Sequence, residues 1–347
     1  DTSMTDNTDA VTIAVVGVGG WGKNLARNYS QIPGARLRYL CDLDEKKLEA
    51  MKLQFQPERT TTRYEDLLED DELQAVVIAT TGPSHFRLCE QALNAGKDVY
   101  VEKPFVLATP DAQKLVALAE EKERILMVGH LLEYHPVVQH LKGMVDSGEL
   151  GEIRYIYSQR LNLGTVRMDE NAMWNFAPHD ISVILYLLGK KPTDVSARGQ
   201  SYLQAGIEDV VFMALNFGDQ AMGHVHVSWL DPHKIRRITI VGSKRMAVFD
   251  DLEPNEKLKI YDKGAEVNTD YDTFAEYVGL RFGDITVPHI RVGEPLRIEC
   301  DHFLQCVRDR TQPLSDGLDG LRVVQVLEAA DRSLEKNGAP ISLSEGE

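Results

Sequence analysis

The run Val11–Lys23, VTIAVVGVGGWGK, constrains the fold more than any other stretch. A short apolar, β-branched segment passes directly into Gly17, Gly19, Gly20 and Gly22, and the amphipathic WGKNLARNYSQ follows. Glycines at this spacing can be no more than a turn, because turns favour glycine. A strand before them and a helix after them make the pattern a dinucleotide cradle. Gly17 then permits the tight turn, Gly19 lets a pyrophosphate approach the backbone, and Gly22 allows close helix packing. The phosphates sit on the helix N-terminus, and Gly20 and Trp21 belong to the same turn. Twenty residues past Gly22, at the end of the next apolar run, stands Asp42. A carboxylate there accepts hydrogen bonds from the adenosine ribose hydroxyls and repels a 2′-phosphate, which favours NAD over NADP. It can also cap the following helix, although Asp44 is better placed for that.

The first 125 or so residues alternate apolar runs with amphipathic stretches, the rhythm of a doubly wound parallel sheet. After about residue 152 the pattern becomes a series of strand-like segments, interrupted by the helical ENAMWNFAPHDISVILYLLG, and this implies a mostly antiparallel sheet. Two helical stretches, PLRIECDHFLQCVRDR and GLDGLRVVQVLEAADRSLEKNG, follow and brace the fold. The expected layout is α/β plus α+β, with a Rossmann domain over 10–128 and a substrate-binding and oligomerisation domain over 129–347.

Acidic residues number 54 against 38 basic, and the net charge of −16 excludes a nucleic-acid binder, which needs a basic face. No apolar run reaches membrane-spanning length, and the polar first residues are unlike a signal peptide, so a cytoplasmic protein is expected. Cys41, Cys89, Cys300 and Cys306 match neither a zinc nor a disulfide spacing and read as packing residues. His130, Glu133 and His135 invite a metal assignment, but no further ligand cluster accompanies them in the sequence, and none is expected. His224 and His226 alternate on one strand and read as residues of a shared polar or packing face.

AVVGVGGWG, VIATTGPSHFRLCEQALNAGKDVYVEKP and RILMVGH together resemble the Gfo/Idh/MocA family of NAD-dependent sugar and cyclitol oxidoreductases, over nearly the whole chain. The Glu102-Lys103-Pro104 triplet is its most telling mark. The resemblance implies a Rossmann domain joined to an open, mostly antiparallel sheet, and adds Thr80, Thr81, His85, Glu102 and Lys103 to the cofactor site. It also implies Lys103 and His179 as catalytic residues. A lysine near the nicotinamide can take a proton or stabilise an oxyanion, and a histidine titrates near neutrality. Their plain alternatives are a surface lysine paired with Glu102 and a structural histidine. Asn175 stands where many relatives carry Asp, so either a carboxylate partner is missing or the amide hydrogen-bonds the sugar.

Before His179 come Arg160, Asn162, Arg167 and Asn171, two guanidinium groups and two amides that suit an anionic, hydroxyl-rich ligand. This run and SWLDPHKIRRITIVGSKRMAVFDD are similar to the branch holding the bacterial UDP-N-acetylglucosaminuronate 3-dehydrogenases (WlbA/WbpB-like), enzymes of surface polysaccharide synthesis. That similarity implies Arg160, Asn162 and Arg167 as substrate contacts, and Lys234, Arg236 and Arg237 near a phosphate or a subunit contact. The implied activity is oxidation at C3 of a nucleotide-linked sugar, UDP-N-acetylglucosaminuronic acid foremost. A nucleotide-sugar 3-ketoreductase or cyclitol dehydrogenase, and a catalytically silent NAD-binding regulator, remain open. An open sheet needs cover on both faces; Val225, Val227 and Trp229 at alternate spacing read as the uncovered one, and a homodimer or homotetramer is expected to close it.

Overall fold

The computed structural model describes residues 10–218, 221–267 and 278–343. It consists of two compact units, Asp1–Tyr134 with Gly293–Val324, and His135–Val292 with Gln325–Glu347. Where the sequence suggested one boundary at 128/129, the chain crosses between units more than once, and Gly293–Val324 packs with the N-terminal unit.

The first unit runs β1 (Val11–Val16), α1 (Gly22–Gln31), β2 (Ala35–Cys41), α2 (Glu45–Phe55), β3 (Arg59–Thr61) and α3 (Glu65–Leu68). It continues with β4 (Ala75–Ile78), α4 (Gly82–Asn94), β5 (Asp98–Glu102), α5 (Thr109–Glu121), β6 (Leu126–Gly129) and a 3-10 turn, Leu131–Tyr134. The strands pair in parallel in the order β3-β2-β1-β4-β5-β6. Every residue of β1, β4, β5 and β6 is buried, as expected of strands covered by helices on both faces. β1 shows how the faces divide. Val11, Ile13 and Val15 join one apolar cluster with Leu25, Tyr29, Cys300 and Phe303, and Ala14 and Val16 join the other with Ile78, Cys89 and Leu115. Each large aliphatic or aromatic side chain so buried contributes about 1.5–3 kcal/mol. All four cysteines are buried free thiols, which fits the packing role read from the sequence.

Strand order reverses between β1 and β4, the switch point at which doubly wound sheets open a crevice at the carboxyl ends of their strands. Because the strands are parallel, Gly17, Asp42, Thr80, Lys103 and His130 all follow strand ends on that one edge.

The second unit begins with α6 (Pro136–Asp146), β7 (Ile153–Leu161), α7 (Ala172–Leu188), β8 (Asp194–Gln200), β9 (Val210–Asn216) and β10 (Met222–Ser228). β11 (Ile235–Gly242), β12 (Met246–Asp250), β13 (Leu258–Val267) and β14 (Val278–Thr286) complete the run. The chain closes with α8 (Pro295–Asp309), α9 (Gly317–Glu335) and β15 (Ile341–Ser342). The nine-stranded sheet has the order β14-β13-β12-β11-β7-β10-β9-β8-β15, antiparallel except for β7 beside β10.

Here the structure corrects the reading of the uncovered face. α7 lies against β10, β7 and β9, and Val225, Val227 and Trp229 are fully buried in this single chain. Successive strand residues alternate faces, so the choice of which set points outward turns on one residue of parity. The outward set is Tyr155, Tyr157, Phe212, Met222, His224 and His226, with Tyr155, Phe212 and Met222 well exposed. His224 and His226 do share this face, and His226 stacks on Phe212 with ring centroids 4.1 Å apart.

Candidate active site

In the first unit the glycine run adopts the geometry its spacing implied. Gly17 has φ +84°, and a Cβ there would meet the Ala79 carbonyl oxygen at 2.8 Å. A Cβ on Gly22 would lie 1.7 Å from the Gly17 carbonyl oxygen, so only glycine lets α1 start this close to the turn. Gly19 and Gly20 have nothing within 4 Å of where a Cβ would stand. The loop is thus closed toward the sheet and open on the side a pyrophosphate would approach, and these residues fit the NAD group. Asp42, half-buried, accepts from the Val18 N–H at 2.8 Å and from the Asp44 N–H at 3.0 Å, which anchors it beside the loop. Asp44 takes the capping role, accepting from Lys46 and Lys47 at the start of α2.

Trp21 donates its indole N–H to Glu102 Oε1 at 2.5 Å, linking the glycine loop to the end of β5. Glu102 also accepts from the Tyr100 hydroxyl at 3.0 Å and from the Lys103 N–H at 3.3 Å. The Lys103 side chain follows, half-buried, ahead of a cis Lys103–Pro104 bond. His85 is fully buried, its ring nitrogens 2.8 Å from the Pro104 carbonyl oxygen and 3.1 Å from that of Thr80. With no exposed surface, His85 ties the Thr80 turn to the Lys103 loop. Thr80 pairs with Ser84 at 2.7 Å, and Thr81, exposed, precedes α4 without capping it.

The tempting metal set regroups. His130 and Glu133 meet Asp319, their ligand atoms all within 4.8 Å of one another, while His135 lies in the other unit, accepting from the Val137 N–H at 3.1 Å. His130 Nδ1 stands 2.6 Å from Asp319 Oδ2, a hydrogen bond between the two groups themselves. Burial alone would lower the pKa of His130; the Asp319 and Glu133 carboxylates outweigh it and raise it to about 10.

In the second unit the residues around His179 are set by α7. Asn171 caps this helix, accepting from the Trp174 N–H at 3.0 Å, and donates to Glu208 at 2.8 Å. Both ends of the Asn171 side chain are thus engaged by the fold. Gly189, at φ 64°, ends the helix. Asn175 and His179 lie one turn apart, each half-buried. Asn175 donates to Glu170 at 2.6 Å and accepts from the Trp229 indole at 3.4 Å, so a carboxylate does stand beside position 175, supplied by Glu170.

Arg160 does not offer a free fork. Its Nε and one terminal nitrogen face the buried Asp180 carboxylate at 2.8 and 3.4 Å, and both residues are largely excluded from solvent. Asp180 was absent from the sequence reading, although its place immediately after His179 was visible. Arg167 is exposed, 3.8 Å from Glu170, and Asn162 is half-buried just past β7. Arg237 pairs with Asp250 at 2.8 Å, Arg236 lies 3.9 Å from Asp251, and Lys234 is exposed.

Comparison with known proteins decides the family. Residues 11–130 match the model of the oxidoreductase family, NAD-binding Rossmann fold, and residues 138–248 match the GFO/IDH/MocA C-terminal domain. The chain belongs to the Gfo/Idh/MocA family of oxidoreductases. It is an NAD-dependent oxidoreductase acting on CH–OH groups of sugars or cyclitols. A UDP-N-acetylglucosamine 3-dehydrogenase of Acidithiobacillus ferrooxidans is 28% identical, across 89% of this chain and 93% of that one. Its solved structure aligns with a TM-score of 0.78 at 25% identity, covering 94% of this family member and 98% of the relative. A scyllo-inositol 2-dehydrogenase (NAD(+)) of Bacillus subtilis is 26% identical over 96% of each chain. Among the described residues no helix is long and apolar enough to cross a membrane.

Proposed function

We propose that this Gfo/Idh/MocA protein oxidises the C3 hydroxyl of a UDP-linked N-acetyl sugar with NAD, within surface polysaccharide synthesis. The reading is carried by the similarity to UDP-N-acetylglucosamine 3-dehydrogenase along nearly the whole chain. NAD supplies the hydride acceptor, and the chain supplies positioning and a path for the proton. Lys103 and His179 handle the hydroxyl proton, and Asn162 and Asn175 hold sugar hydroxyls. Asp42 receives the adenosine ribose. The uronic acid favoured by the sequence loses one support, because a substrate carboxylate would have to displace Asp180 from Arg160. Arg167, the other arginine of that run, is exposed with the Glu170 carboxylate 3.8 Å away, so neutral UDP-N-acetylglucosamine takes precedence.

The experiment offers UDP-N-acetylglucosamine, its uronic acid and inositols to the purified protein and follows reduced nicotinamide by absorbance. UDP-sugars are expected to be turned over and inositols not. NAD(H) is expected to bind at least about tenfold more tightly than NADP(H), about 1.4 kcal/mol, because Asp42 repels the 2′-phosphate. Equal calorimetric affinities remove that role from Asp42. Turnover of inositols with inert UDP-sugars establishes the second reading, a cyclitol dehydrogenase, which the similarity to scyllo-inositol 2-dehydrogenase favours.

The outward sheet face, with Tyr155, Tyr157, Phe212 and Met222, fits a second copy of the chain, since closed symmetry repeats one patch on both partners. Light scattering is expected to give a dimer or tetramer, and Phe212→Glu to shift it toward monomer. A stable wild-type monomer at micromolar concentration refutes this assembly.

A further inference from the structure

Behind the glycine loop the first unit encloses a polar interior that the proton chemistry above does not use. Tyr100 and Glu102 of β5 and Glu299 of α8 are all buried in it. Glu299 is the unusual member: its side chain has no exposed surface, and neither carboxylate oxygen has a hydrogen-bond partner. Its neighbours include Tyr100, Glu102, His130 and Glu133. Burial, reinforced by the charge of Glu102, pushes the Glu299 carboxyl well above the usual carboxylate range.

Two buried neighbouring carboxyl groups cannot both be ionised without great cost, and the hydrogen-bond donors around them decide which keeps the charge. Glu102 receives three, from Trp21 at 2.5 Å, Tyr100 at 3.0 Å and the Lys103 N–H at 3.3 Å. Glu299 receives no donor in full hydrogen-bond geometry: Tyr100 lies beside it, but its one hydroxyl hydrogen is directed at Glu102. The negative charge therefore belongs on Glu102 and the proton on Glu299. Tyr100 has a single hydroxyl hydrogen, committed to Glu102, and its oxygen lone pairs are open to a donor. The acid proton of Glu299 is such a donor. A neighbouring strand leaves the room: a Cβ on Gly129 would stand 2.7 Å from the Tyr100 hydroxyl and 3.0 Å from Glu102 Oε2.

We infer that Glu299 is a positioning residue of the cofactor cradle: as an un-ionised acid it donates to Tyr100, Tyr100 donates to Glu102, and Glu102 holds the indole of Trp21 in the glycine loop. Glu299 touches no ligand in this scheme and acts only through its two neighbours. The inference rests on the chain's use of NAD and on no particular sugar.

The test is NADH affinity, read by fluorescence titration without any sugar, so that its failure is separable from failure of the substrate reading. Glu299→Leu, which removes the donor, is expected to weaken NADH binding about tenfold or more, since it leaves the Tyr100–Glu102 arrangement without its support. Glu299→Gln keeps a donor of the same shape and is expected to recover most of that affinity, to within about threefold of wild type. Tyr100→Phe preserves the packed ring and is expected to weaken NADH binding like Glu299→Leu, so the question does not depend on the leucine variant folding. Infrared spectra at neutral pH are expected to show an un-ionised carboxylic acid carbonyl band in the wild type that is missing from Glu299→Gln. A folded Glu299→Leu or Tyr100→Phe with wild-type NADH affinity overturns the inference. So does a glutamine variant as impaired as the leucine variant, or the absence of the carbonyl band.

Discussion

Alanine at Lys103 is expected to lower kcat by about a hundredfold or more while NADH affinity stays close to wild type, and alanine at His179 is expected to do the same. The reason lies in what each residue has to do. Removing the hydride from a carbinol carbon requires the hydroxyl proton to leave as well, and a positioned acid or base contributes about 10²–10⁴-fold to such a step. Neither residue belongs to the loop from Gly17 to Gly22 that is shaped to receive pyrophosphate. The lesion therefore falls on kcat rather than on cofactor binding. Added primary amines should restore part of the turnover of Lys103→Ala, and added imidazole part of that of His179→Ala. Two variants with near-normal turnover of the sugar that the wild type oxidises would move the chemistry to other residues.

The sequence disclosed the parts of this molecule whose cause is local. A glycine run between strand and helix has few uses, and Gly17 and Gly22 stand where a Cβ would strike backbone. The same holds for the helix that ends at Gly189 and for Asp44 at the head of α2, since caps and left-handed turns are written in neighbouring residues. Partners distant in sequence were not visible. Arg160 looked like a substrate clamp because its counter-charge, Asp180, lies on a different element, and Asn171 looked like a sugar ligand because Glu208, to which its amide donates, lies far along the chain. Glu299 gave no signal at all: within an amphipathic helix, a buried acid and an exposed one read alike. The outward face of the nine-stranded sheet was missed through the parity of β10, where an apolar set alternates with a histidine set and only the position of α7 tells which is covered.

The Arg160–Asp180 pair carries the other large effect. Asp180 is buried on α7 next to His179, and Arg160 comes from β7 beneath that helix, so their two hydrogen bonds fix how α7 sits on the sheet. Taking two charges out of water is costly, and the pair persists because each is the other's partner. Removing one member leaves the other charged, desolvated and alone. Asp180→Ala is therefore expected to destabilise the protein by about 3–5 kcal/mol, whereas Asp180→Asn, which keeps an acceptor for the guanidinium, should cost less. The double replacement Arg160→Met with Asp180→Leu should be markedly milder than the sum of its single variants, because it deletes both charges and fills their volume. Urea denaturation of wild type, Asp180→Ala, Asp180→Asn, the double variant and its two single components, Arg160→Met and Asp180→Leu, measures the coupling. Additive costs would mean that the two groups do not support one another, and an Asp180→Ala protein as stable as wild type would mean that solvent reaches Arg160 freely. A second consequence separates scaffold from chemistry. Asp180→Asn should retain kcat within about tenfold, since the helix that carries His179 keeps its anchor, whereas Asp180→Ala should lose turnover and stability together.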